Sequence, residues 1–428
     1  MDEQLYCEAM TDNAYTKQPN DATQNIGNGS YSTADPYVKK VWDGRYTGIR
    51  MCNELLENID RVPDLDPELK KRYIGEAKVL RAYNYYELYT KFGDVPYTTK
   101  VLSIKESMSI ARTAKATVIA NVLADLDEVI NGNYLPTSYD ADNKGRITRW
   151  AAMAIKAKIY LFEGNWMQVK NITSTIMTEG GFKLFESYAG LFEIANEYNS
   201  EVILDAQYRP TSREHQMMYV FLPPTLGGYS QLSPLQELVD SYIMLDGKTI
   251  KETGTSFDES HPYANRDPRL KATVMYTGNS YTLADGTEVV INCEKGEGKD
   301  GYGVGSDCSA TGYYIKKYWD NAYRATLYSG LNPILIRYAD ILLMNAEALA
   351  ELGELDKTAW DATIKPIRDR AGFTLASAVE FPEGASKDKL IEIVRNERRS
   401  ELALEGHRHK DIIRWRIADN VLNGWCHG

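Results

Sequence analysis

Residues 395–408 read RNERRSELALEGHR, and the chain runs on through His409 into KDIIRW at 410–415. Within a helical pattern, Glu397, Glu401 and Glu405 recur at i, i+4 and i+8, which places three carboxylates on one helical face. Like charges at that spacing destabilise an isolated helix. Leu390, Val394, Leu402 and Leu404 mark the same helix as largely buried, so basic side chains rather than water must answer the acidic stripe. Arg398 is expected to reach Glu401 within the helix, while Arg337, Arg368, Arg370 and Arg408 are expected to arrive from neighbouring elements. The stretch therefore reads as an ion-pair lock between helices, in preference to a solvated charged face or a paired-carboxylate active site.

The string ERRSELALEGHRHKDIIRW resembles the C-terminal signature of SusD/RagB-type proteins, surface nutrient-binding lipoproteins of Bacteroidetes-like bacteria. Five other blocks agree in order: GEAKVLRAYNYYELYTKFGDVPY (75–97), LQELVDSYIMLDGKTI (235–250), YANRDPRLKATVMY (263–276), TGYYIKKYW (311–319) and LIRYADILLMNAEALAELGE (335–354). The resemblance implies a protein on the outer-membrane surface that binds an oligosaccharide. It would pass that ligand to a SusC-like, TonB-dependent barrel and would not cleave it. The resemblance also implies an acylated cysteine behind a lipoprotein signal. Cys7 is not read as that cysteine, because bulky Tyr6 and no apolar segment precede it. The anchor is therefore expected upstream, with this chain as part of a longer one.

The chain has 428 residues, 43% of them hydrophobic, which is ample for a large core. A formal charge of −11 argues against nucleic acid, which needs a concentrated basic surface. Thirty Tyr and seven Trp against nine Phe favour rings with a polar handle that can lie half exposed. The five cysteines (7, 52, 293, 308 and 426) form no C-x-x-C pair, so no metal site is expected. Cys293 and Cys308 flank EKGEGKDGYGVGSD and are open to a loop-closing disulfide, whereas Cys7, Cys52 and Cys426 read as free thiols.

Helical periodicity dominates residues 1–180. Asp35-Pro36 and Asp66-Pro67 each read as an N-cap followed by proline, opening helices through Trp42, Tyr46 and Ile49 and through Ala77, Leu80 and Leu88 to Gly93. A third helix fits 116–131. A fourth begins after Thr148 along Ala151, Ala154, Ala157 and Leu161, with its partner after Asn165. Residues 149–179 can be laid on 332–372, with Ala157, Leu161 and Gly164 matching Ala346, Ala350 and Gly353. That is a tetratricopeptide-like unit, which buries its apolar face by stacking on neighbours. The expected fold is thus mainly α, a tetratricopeptide-like superhelix in one domain over 1–428. It has helical parts at 1–180 and 332–428 and a long irregular insertion at 181–331. Stretches 201–207 and 271–276 in that insertion read as short strands.

Catalytic patterns are absent: there is no G-x-S-x-G, P-loop or H-E-x-x-H, and no dinucleotide glycine fingerprint at a strand-to-helix junction. His407 and His409 stand at i and i+2, off a common face, and His215 and His261 have no nucleophile in a recognisable arrangement. Acidic neighbours such as Asp125 with Asp127 arise by chance in so acidic a chain, and glycosidase chemistry needs two carboxyls set across a cleft. RDPR at 266–269 could clamp an anion, though the resemblance makes it a structural turn. The 296–305 loop, with Asp300 inside it and Asp307 just beyond it, lacks the EF-hand order and reads as a mobile surface loop. No enzyme activity and no cofactor are expected.

Aromatic residues in loops are the sharper signal. Tyr31 and Tyr37 lie in GNGSYSTADPY beside Asn28 and Asp35, Tyr229 in GGYSQ, and Trp319 with Tyr323 in YWDNAY. Rings there can stack on a sugar face while amides and carboxylates bind hydroxyls. Tyr31, Tyr37, Tyr229 and Trp319 are the expected ligand-binding residues, drawn from both halves of the chain. Trp42 falls on a packing stripe. A tetratricopeptide scaffold for peptides and an all-helical glycoside hydrolase are the alternatives. The interrupted repeats count against the first and the missing acid and base against the second.

Overall fold

The computed structural model describes residues 2–17 and 23–428. They form two compact units, one spanning 32–181 and the other combining residues up to 31 with 182–428. The first residues thus leave the helical part expected over 1–180 and join the C-terminal part.

The 32–181 unit is helical throughout its core, with helices Pro36–Asn58, Pro67–Phe92, Lys115–Asn131, Arg149–Phe162 and Trp166–Glu179. Asp66, Thr148 and Asn165 cap as their types demand, each accepting a backbone N–H of the first turn. Asp35 instead turns its carboxylate back to accept from Ser32 N, at 2.6 Å. Ala151, Ala154 and Ala157 are completely buried, where a larger side chain would push neighbouring helices apart. Trp42 packs as expected, edge-on to Phe92 with ring centroids 5.2 Å apart.

In the other unit, helices Tyr338–Leu352 and Lys357–Ala371 make the second tetratricopeptide-like pair. Gly353 ends its first helix in the left-handed region (φ +74°), as Gly164 does (φ +70°) in the matching pair. Its strands are short and antiparallel, pairing Ala14–Thr16 with Leu232–Pro234 and Val202–Asp205 with Ile334–Arg337. The expected strand at 271–276 is a helix, Pro268–Thr273, before only two extended residues, because Asp267 caps it and Pro268 stands at its first position. Cys293 and Cys308 are buried free thiols, not a disulfide. Among the described residues no helix is long and apolar enough to cross a membrane, and no group of three potential metal ligands occurs.

Buried ion pairs organise this unit. Arg337 forks onto Glu405 at 2.8 and 2.7 Å and also donates to Glu401 (2.6 Å) and Glu201 (2.7 Å). Arg368 holds Glu397 at 2.7 Å, and Arg370 bonds Glu201 and Glu401. Two cations were not foreseen. Arg269 of the RDPR turn forks onto Asp267 and reaches Glu397 (2.7 Å) and Glu401 (2.9 Å), while Lys317 pairs with Glu405 (2.7 Å). RDPR does clamp an anion, but the anion belongs to the protein.

Three expected details differ. The helix closes at Glu401, and Leu404 takes a left-handed turn (φ 62°), so Glu405 reaches the network from beyond the helix end. Arg398 turns to Asp340 (2.6 Å) and Asp411 (2.9 Å) instead of Glu401, which is already fully engaged. Arg408 forks onto Asp12 at 2.8 Å, and Arg399 joins it at 3.0 Å. The N-terminal segment is also held where Gly406 N donates to Glu8 (2.7 Å) and where Gln4 donates to the carbonyls of Ile334 and Glu405 (2.8 and 2.9 Å).

Burial alone would raise these carboxyls. Arg370, Arg337 and Arg269 overrule it and hold Glu401 well below the usual range, and Arg337 with Lys317 brings Glu405 down to about 2. Glu401→Ala leaves three buried guanidiniums short of a partner and is expected to cost about 3–5 kcal/mol in chemical denaturation. A folded-state pKa below the unfolded one contributes stability that is fully present above the unfolded value, near 4.5, and lost as pH falls through about 2. The stability gap between the parent and Glu405→Gln should therefore be widest at neutral pH and narrow steadily below pH 4.5. A gap that stays constant on acidification contradicts an ionised, paired Glu405.

Candidate functional site

The four expected ligand residues meet different fates. Tyr31 is exposed. Tyr37 lies in the first turn of the Pro36–Asn58 helix and is buried, so its ring offers no open face. Trp319 packs against Tyr281 (centroids 5.0 Å apart) on the Ser280–Thr282 strand and gives its indole N–H to Thr282 O at 3.2 Å. Its neighbour Tyr323 is buried. Tyr229 is half-buried and stands in a cluster of tyrosines.

That cluster is set by backbone. The short Met217–Phe221 helix buries Met217, Met218 and Phe221 in the core, which leaves Tyr219 facing outward. The chain then turns through Gly227 (φ +86°) and returns, so that Tyr229 N donates to Tyr219 O at 2.9 Å. The rings meet edge to face with centroids 4.2 Å apart, and the Tyr219 hydroxyl donates to that of Tyr229. This hydrogen bond is the main reason the Tyr219 phenol is pushed up to about 12, with Tyr328 and Asp307 close enough to add to the shift. An isolated antiparallel bridge between His215 and Ser329 brings Tyr328 beside Gln216, whose amide donates to the Tyr328 hydroxyl at 2.6 Å. Tyr328 is 44% exposed. The result is a surface of three phenol rings and an amide: apolar faces for stacking, with donors and acceptors at fixed places around them.

His215 beneath the patch is buried and structural, giving its Nε2 proton to Leu331 O at 2.9 Å. Tyr219, Tyr328 and Gln216 were not foreseen. Tyr328 precedes Ser-Gly in a loop and meets the criterion that selected Tyr229, whereas Tyr219 is hidden inside the apolar string MMYVF.

A model described as the SusD family matches residues 190–426, more than half of the chain. The chain belongs to the SusD family. A second model, described as starch-binding associating with outer membrane, matches residues 1–161 of this SusD-family chain. A relative named SusD-like protein P25, from Formosa agariphila, is 28% identical over 95% of this chain and 77% of its own length. The structure titled a SusD-like carbohydrate binding protein from Bacteroides fragilis is 29% identical and superposes with a TM-score of 0.86, covering 97% of this chain and 80% of that one. One titled a laminarin binding SusD-like protein is 25% identical, with a TM-score of 0.75 over 97% of this chain and 87% of the other.

Gly228 fixes the patch. A Cβ at that position would lie 2.1 Å from Leu222 O, so the return strand closes on the helix only with glycine there. Gly228→Ala is expected to destabilise the unit by about 1–3 kcal/mol through overpacking. It should also separate Tyr219 from Tyr229, seen as a drop of the Tyr219 titration toward the ordinary tyrosine value. An unshifted titration would show that the backbone turn does not hold the pair.

Proposed function

We propose that this chain is a binding protein that captures an oligosaccharide at the outer-membrane surface and delivers it, uncleaved, to a SusC-like TonB-dependent transporter. The observation that carries the reading is the Tyr219–Tyr229–Tyr328 cluster, two half-buried rings beside exposed Tyr328 with Gln216 at its edge, in a chain of the SusD family. Stacked C–H faces on phenol rings supply affinity and the amide and hydroxyl groups supply orientation, and neither breaks a glycosidic bond. The names of the relatives support the ligand class: one Bacteroides fragilis structure is titled carbohydrate binding and another solved structure laminarin binding. The description of the N-terminal match supports association with the outer membrane. A lipid anchor upstream of these residues and docking onto the barrel complete the proposal. Tyr31, exposed in the same unit, is proposed as a further contact, whereas Tyr37 and Trp319 serve packing.

Calorimetric titration with laminarihexaose, maltohexaose, cellohexaose and xylohexaose tests the site. Tyr229→Ala and Tyr328→Ala are each expected to weaken the best ligand by roughly 1–3 kcal/mol through lost stacking area, with the melting temperature unchanged. Tyr37→Phe should bind like the parent. Parent-like affinity in both alanine variants removes the patch from the site. Reducing-end assays after prolonged incubation should find the glycan intact, and release of reducing ends abolished by a single Asp or Glu substitution would make the protein a hydrolase.

A further inference from the structure

The glycine-rich segment read from sequence as a mobile loop is pinned. Asp300 is buried and accepts from Thr225 N at 2.8 Å and from the Thr225 hydroxyl, while its own carbonyl accepts from Tyr314. Gly301 is wedged so closely that a Cβ would stand 2.2 Å from Glu297 O. Tyr302 N donates to Cys293 O at 3.2 Å, and Gly296 N donates to Tyr302 O at 3.0 Å. So many anchors on a glycine-rich loop fix its side chains in place, and those side chains wall a cleft of about 490 Å³. That volume lies within the range of small-molecule sites, about 300–1,000 Å³.

The walls are polar and aromatic. Tyr263 stacks on Tyr276 with centroids 3.8 Å apart and planes 17° from parallel. Its hydroxyl meets that of Tyr313 at 3.2 Å, and Tyr313 in turn donates to the Gln236 side-chain oxygen at 2.5 Å, a relay that fixes both rings. Thr277 accepts from Cys293 N at 3.1 Å and keeps its hydroxyl hydrogen to give. Tyr302, 43% exposed, and Lys295 line the same cleft, and among the described residues neither the Tyr302 hydroxyl nor the Lys295 ammonium has an intramolecular partner. Glu294 offsets the charge of Lys295 beside it, which disfavours an anionic ligand at that part of the rim.

We propose that this cleft is a second saccharide site, binding a short neutral sugar segment against Tyr302 and Tyr263 with Thr277 and Lys295 donating to hydroxyls. It rests on the carbohydrate reading above for its ligand class, but on none of the same side chains. The loop connects the two places: its first half walls the cleft, while its far end holds Asp307 near Tyr219 and gives the Cys308 carbonyl to Lys17 at 2.7 Å.

The test follows fluorine resonances of the 3-fluorotyrosine-labelled chain, with Tyr302 assigned from Tyr302→Phe and Tyr229 from Tyr229→Phe, during titration with the same four hexaoses. At least one hexaose should shift Tyr302 saturably, and the shift should persist in the Tyr219→Ala/Tyr229→Ala double variant. Thr277→Val and Lys295→Ala should each raise the midpoint of that titration at least threefold. A Tyr302 resonance unmoved by every probe while Tyr229 shifts overturns the cleft and leaves the patch standing. Loss of the Tyr302 shift in the double variant, or midpoints unchanged in both cleft variants, also overturns it. A shift at Tyr302 without one at Tyr229 upholds the cleft and removes the patch, whereas no shift at either position removes both.

Discussion

Burying a carboxylate is costly unless cations and hydrogen bonds replace its water, and the unit that carries the tyrosine patch is arranged around that constraint. Glu401 is completely buried and meets Arg269, Arg337 and Arg370, which come from three separate elements. A rotation of the 387–401 helix by one residue would withdraw Glu397 and Glu401 from their partners and bury both charges alone. The network therefore fixes register more than it adds net stability, since an apolar replacement of equal volume could pack as well. What it excludes is every alternative seating of the helix.

The tyrosine patch inherits its placement from that lock through a continuous run of backbone. Arg337 ends the strand 334–337, which pairs with 202–205. Just upstream, Asn332 donates to Asp205 at 3.1 Å and accepts from Tyr208 N at 2.7 Å. Three residues before it, Ser329 pairs with His215, and that bridge sets Tyr328 against Gln216. The surface rings thus stand on a rigid base whose last link is an ion pair in the core. Rings held in this way would lose little conformational entropy on binding at the proposed site.

Much of this was legible in the chain. Asp66-Pro67 and Thr148 announced helix starts because capping is a local interaction between a side chain and the next turn, and Gly164 and Gly353 announced helix ends for a similar reason. The acidic stripe of Glu397 and Glu401 announced a lock because charge and burial conflict within one helix. Its partners were harder to name. Arg269 and Lys317 lie far from the stripe in sequence, and a pairing made by tertiary folding leaves no local trace. Loop rings posed the same difficulty. Tyr37 and Tyr229 look alike in sequence, each a tyrosine among turn residues, yet the first is drawn inward by its place in a helix's opening turn while the second is held out by the Gly227–Gly228 return.

The clasp of Asp12 by Arg399 and Arg408 has a consequence in time. A chain that emerges from its N-terminus presents Asp12 early and must wait for nearly the whole sequence before either arginine exists to receive it. The 32–181 helices hold most of their contacts among themselves and can close during that wait. The clasp on Asp12 can therefore form only after residues 399–408 have been made.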